Sequence, residues 1–160
     1  MTREAEAARP PWFSTLLTSI ESSISRCISH SGAEAAGTRR SVDAPLVAQV
    51  LPLSARTPEE LDNLIWWWAN VLEDPRVSVA RSCATAALRR HHPHRAAVVA
   101  SEREAFLSGL RAIAEERLVL WCEPGASPEV VRHAVLHVRG KWVDWRAVVG
   151  QERRRLFAEG

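Results

Sequence analysis

Apolar residues recur every three to four positions along most of this chain, and helix-start signals stand at the head of several such stretches. Thr57-Pro58-Glu59-Glu60 joins an N-cap threonine to proline at the first helical position and an acid at the third. Leu61, Leu64, Ile65, Trp68 and Leu72 then share one face. Asp74-Pro75 predicts the end of that helix and the start of another, with Val77, Val79, Ala80, Cys83, Ala84, Ala87 and Leu88 as its buried stripe. Ser101-Glu102-Arg103-Glu104 predicts a third helix through Trp121, broken by Pro124-Gly125. Ser127-Pro128-Glu129 opens a fourth. Trp142, Trp145, Val148, Val149, Leu156 and Phe157 suit a last helix, although residues 134–149 also suit a hairpin turning at Arg139-Gly140-Lys141.

Upstream the pattern is sparser. Residues 1–10 are polar and read as a disordered arm. Trp12, Leu16, Leu17, Ile20, Ile24 and Ile28 give helical spacing across 11–28, with Pro11 in the first turn. Residues 29–44 have almost no large apolar side chain and read as a flexible linker. Pro45 to Leu53 reads as one or two helical turns closed by Pro52, and Pro93 to Ala100 is ambiguous.

The expected architecture is therefore all-α: a bundle of five to six helices built around two helical hairpins, spanning 45–160, with a loosely attached N-terminal helix. The hairpins rest on an echo between Asp74-Pro-Arg-Val77 and Ser127-Pro-Glu-Val130. These openings resemble those of HEAT-repeat helices, but two units are fewer than the roughly three a solenoid needs.

Composition narrows the function classes. The chain has 160 residues, 46% hydrophobic and 25% charged, which suits one globular domain with an arm. A net charge of +2 does not announce a nucleic-acid binder, and no apolar run approaches the ~20 residues of a membrane span. Cys27, Cys83 and Cys122 cannot close a disulfide framework and read as small buried hydrophobes. The expected location is cytoplasmic or otherwise intracellular. Arginine outnumbers lysine 20 to 1, which fits the coding bias of a GC-rich genome.

Candidate chemistry is thin. Glu129, His133 and His137 lie four apart on one helix face, the local geometry of a two-histidine, one-carboxylate metal site. Arg89, Arg90, His92, His94 and Arg95 form the densest basic and imidazole cluster. A helix C-terminus accounts for such cations, and phosphate contact is the alternative. No Gly-x-Ser-x-Gly, P-loop or dinucleotide glycine pattern occurs, so the reading leans away from an enzyme, and no cofactor is expected. Asp144-Trp145-Arg146 distantly resembles the first-homology signature of the Bcl-2 family. It lacks the glycine after tryptophan, so no binding residue carries over.

Seven tryptophans are the most informative feature. Trp66-Trp67-Trp68 spans about 200° of a helix, at ~100° per residue, and cannot face a single core. The expected function is a small, non-catalytic protein-binding adaptor or regulator. Trp66, Trp67, Trp142 and Trp145 would be its contact residues, and another protein or a second copy its partner. A nucleic-acid-associated protein using the Arg/His cluster and a histidine-dependent metal-binding protein are the alternatives.

Overall fold

The structure, a computed structural model, describes residues 47–158. The expectations of an arm, an N-terminal helix and a linker over 1–44 lie outside those residues. Within them the chain is not an all-α bundle but a three-stranded sheet with five helices. The chain order is β1 (Gln49–Ala55), α1 (Pro58–Glu73), α2 (Val79–Leu88), β2 (His94–Ala100), α3 (Arg103–Glu116), β3 (Leu120–Cys122), α4 (Pro128–Val138) and α5 (Trp145–Ala158). The central strand β2 pairs antiparallel with β1, Leu53 opposite Ala96, and parallel with β3, Ala97 opposite Leu120.

All three strands fall where helical turns, ambiguity or a helix tail was expected, and the cause is burial on both faces. A strand covered on one side alternates apolar and polar residues, whereas a strand covered on both reads as a continuous apolar run. Ala96 through Ala100 is such a run, and every residue in it is buried. In β1, Leu51 and Leu53 face one core while Val50 faces the other. The third helix stops at Arg117, which adopts a left-handed backbone (φ 54°), so Leu120 and Trp121 are released into β3.

Pro52 fits a strand because of where its nitrogen points. The N–H of Ala97 donates to the Val119 carbonyl and that of Glu123 to the Val99 carbonyl, so residues 97 and 99 turn their peptide groups toward β3. Residues 96, 98 and 100 then face β1, and by the alternation of an antiparallel ladder Pro52 faces the outer edge, where its missing N–H costs no ladder bond. Helix α2 lies along that edge, placing Cys83 and Ala86 in one core and Ala84 and Ala87 in the other. Its small residues permit the close approach.

The two expected hairpins do not form. α3 packs with α1 on one face of the sheet, whereas α4 packs on the opposite face. An apolar helix stripe carries no label for its partner, and here the sheet supplies it. Local signals fared better. The Glu60 N–H donates to Thr57 Oγ1 at 3.2 Å and that of Val130 to Ser127 Oγ at 3.4 Å. Asp74-Pro75 instead forms a turn, and Ser78 caps α2, accepting from the Arg81 N–H. The segment 134–149 is not a hairpin: α4 ends at Val138, and α5 starts at Trp145.

Gly109 sits where α3 crosses the sheet. A Cβ there would come within 2.6 Å of both Val98 Cγ1 and the Trp121 ring. Gly109→Ala should therefore destabilise the domain by about 1–3 kcal/mol through overpacking, despite alanine's better helix propensity. Denaturant unfolding checks this, and a neutral or stabilising result would mean that the helix shifts away without cost.

Candidate functional site

The densest convergence of polar and aromatic chemistry lies at the end of the sheet where β1 finishes and β2 begins. His91 follows α2, His137 closes α4 and Trp145 opens α5. Their rings meet edge to face or tilted, with His91 and His137 centroids 5.0 Å apart, His137 and Trp145 5.7 Å, and His91 and Trp145 6.0 Å. His137 is fully buried. Its Nε2–H donates to the Leu53 carbonyl at 3.0 Å, which leaves Nδ1 without a proton in the neutral ring and without a hydrogen-bond partner. Burial pushes its pKa down to about 3, assisted by His91 and Arg95 and opposed by the Leu53 and Ala96 backbone. His91 donates from Nε2 to the Ala87 carbonyl at 2.9 Å, and burial lowers its pKa as well.

Arg95 ties this cluster to the surface. Its Nε donates to the His92 carbonyl at 2.9 Å and its Nη1 to the His137 carbonyl at 3.3 Å, so one guanidinium bridges the start of β2 and the end of α4. The His92 N–H donates to Ser54 Oγ at 2.9 Å. Of the contiguous basic run, Arg89 and Arg90 are exposed, and His92, His94 and Arg95 are half-buried.

The remaining candidates separate. Glu129 is exposed, His133 half-buried and His137 sealed in the interior. No group of three or more His, Cys, Asp or Glu side chains placed to hold a metal occurs among the described residues. Trp145 is not a surface contact: it is buried, because the histidine pair and α2 cover it. Trp66 and Trp67 are half-exposed, Trp68 is only 4% exposed, and Trp142 is 82% exposed. The helical argument that the three adjacent indoles must diverge therefore holds.

One functional-looking residue gave no sequence signal. Arg103, in the first turn of α3, donates to four backbone carbonyls of the α1–α2 junction: Leu72 at 2.7 Å, Asp74 at 3.0 Å, Pro75 at 3.5 Å and Val77 at 2.6 Å. It supplies the end of α1 with the donors that the helix itself lacks. Its five N–H groups in a planar fork suit this task, which an ammonium cannot reproduce. Arg103→Lys should cost about 2–3 kcal/mol, since hydrogen bonds to charged groups contribute about 1.5–3 kcal/mol each and part would be kept. A midpoint of urea unfolding equal to wild type would show that the clasp carries no energetic weight.

Comparison with known proteins adds a family signal. Residues 49–110 match the family model described as CurL-like, PKS C-terminal. The match runs from β1 into the middle of α3, and thus includes Arg103 and Gly109. Nine solved chains match. One is the acyltransferase domain from module 8 of the salinomycin polyketide synthase, 28% identical over 43% of this chain, with a TM-score of 0.41. The similar region spans 17% of that chain's length. No curated protein matches. The family match overturns the expectation of a small regulator working through a Trp-rich helix face, along with its nucleic-acid and metal-binding alternatives. The family model covers under half of the chain, and the α/β fold is read from the sheet and helices themselves.

Proposed function

We propose that residues 47–158 serve as a structural α/β module of a polyketide-synthase-related polypeptide, holding a neighbouring protein domain in place rather than transforming a substrate. The family match over residues 49–110 carries this reading. The chemistry of the described residues supports it. The most concentrated imidazole pair is spent on backbone carbonyls and packed beneath an indole, which leaves His137 unable to reach a substrate. Cys83 lies in the core on the α1 and α3 side. No helix among the described residues is long and apolar enough to cross a membrane. A protein partner and an intracellular place fit this role.

The test is co-expression of the full chain with a polyketide synthase acyltransferase domain trimmed of the segment this chain resembles. Stoichiometric co-elution and a raised melting temperature of the trimmed domain are expected. Separate elution from a folded trimmed domain, or acyl transfer carried out by this chain alone, would overturn the reading.

A further inference from the structure

Helix α5 is held to the rest of the domain by a small contact. It takes no part in the sheet, and among the described elements it packs chiefly on α2. Over residues 145–150 only Trp145 and Val149 are buried, in the core that also holds Ala87, and Val148 packs against them. The link before α5 lies at the surface. Arg139, Gly140, Lys141 and Trp142 are exposed, and Gly140 turns with a φ of 75° where an added Cβ would meet nothing within 4 Å. An element with few buried contacts, joined by such a link, opens at a lower free energy than the core.

The side chains that α5 covers can titrate. The Trp145 ring lies 5.7 Å from the His137 ring and 6.0 Å from the His91 ring, and the two imidazoles are 5.0 Å apart. Each spends Nε2 on a backbone carbonyl, Leu53 for His137 and Ala87 for His91. The charges that act on the pair are Arg95, His92 and the imidazoles themselves, and all of them oppose a proton. Of the other ionisable groups on the surrounding elements, Arg89, Arg90, His94, His133, Arg139 and Arg146 are basic, and β1 has none. Asp144, before α5, accepts the Ala147 N–H. The acids at this end of the sheet, Glu59 and Glu60 on α1 and Glu115 and Glu116 on α3, belong to helices packed on its other face.

We propose that α5 is a proton-operated latch: it swings away from α2 about the 139–144 link when His91 and His137 take up protons, while the sheet and the other helices stay folded. Covered by Trp145, both rings are held below the ordinary histidine range by burial. Uncovered, an imidazole gains water and titrates near 6.5. Below that value the open state binds more protons than the closed one, so falling pH favours opening. Opening presents the apolar site that Trp145 and Val149 fill, with two charged imidazoles beside it. The latch does not depend on the module's role in a polyketide synthase.

The test is amide hydrogen exchange of the full chain, read by mass spectrometry at about pH 7.5 and about pH 5 and corrected for the intrinsic pH dependence of exchange. Helix α5 should open more often than β2 at both values. Its opening should rise by about thirtyfold or more across the range, the ratio that one fully freed histidine supplies. In His91→Gln with His137→Gln, glutamine keeps an N–H for each carbonyl but cannot titrate, and the rise should vanish. Should that pair not fold, His91→Gln alone should still reduce the rise. Asp144→Asn should keep it. Trp145→Ala should leave α5 unprotected at both values above a protected β2. Equal opening of α5 and β2, opening of α5 that ignores pH, a rise that survives the glutamine substitutions, or one that Asp144→Asn abolishes would each overturn the latch. A failed complex with the acyltransferase domain would leave the exchange result standing, so the two readings fail separately.

Discussion

Between pH 7 and pH 4 the domain should lose about 3 kcal/mol of stability through His137 alone. The sign follows from proton counting. The unfolded ring takes up a proton near 6.5, whereas the buried ring holds off until about 3. Across that window the unfolded chain binds more protons, so stability is fully present above about pH 6.5 and drains as pH falls toward 3. Each unit of separation is worth about 1.36 kcal/mol. Burial is the main cause: a charged imidazole there loses its hydration, and the Leu53 and Ala96 backbone opposes this only in part. His91 shifts in the same direction and adds to the loss, while Asp74, whose pKa Arg76 lowers, acts only at still lower pH. Urea unfolding at several pH values, in wild type and in His137→Leu, measures it. The variant should flatten the slope between pH 6.5 and pH 4, and equal slopes in the two proteins would remove His137 from the account.

Trp68→Ala should cost about 3–5 kcal/mol, the range for emptying a buried aromatic site. The indole packs in the core with Ile65, Leu72, Phe106 and Leu110, between α1, α3 and the sheet. Trp66→Ala should change stability by less than about 0.5 kcal/mol, as expected of a half-exposed side chain away from such features. Trp67→Ala should lie between them, because the Trp67 ring meets Trp68 edge to face at 4.9 Å and such pairs contribute about 0.5–1.5 kcal/mol. Three single substitutions in denaturant titrations separate these values. Equal losses at all three positions would mean that the exposed indoles are covered in solution.

The legible features were those that neighbouring residues decide. Thr57 and Ser127 announced their helices because a cap bond spans three residues. The divergence of Trp66 and Trp67 from Trp68 follows from 100° per residue and needs no partner. The run Arg89 to Arg95 is contiguous, so its clustering required no fold to assemble it. Arg117 and Ser101 show the opposite. A left-handed arginine ended α3 before Trp121, and Glu102 rather than Ser101 took the N-cap position without a side-chain bond.

On the helical side, neighbouring residues alone set the local elements: where α1 and α4 begin, which stripe of each is apolar, and which tryptophan turns inward. That the apolar runs at Val50–Leu53 and Ala96–Ala100 are strands emerges only from their pairing in the folded chain. A run buried on both faces has no period, and short apolar segments of this kind fit either element until a partner is present. The same holds for the buried ring cluster, where His91 meets His137 and Trp145 across about fifty residues of chain, because α2 and α4 end together at one end of the sheet. It holds too for Arg103, whose four acceptors lie 26 to 31 residues away, a distance over which no local pattern can speak.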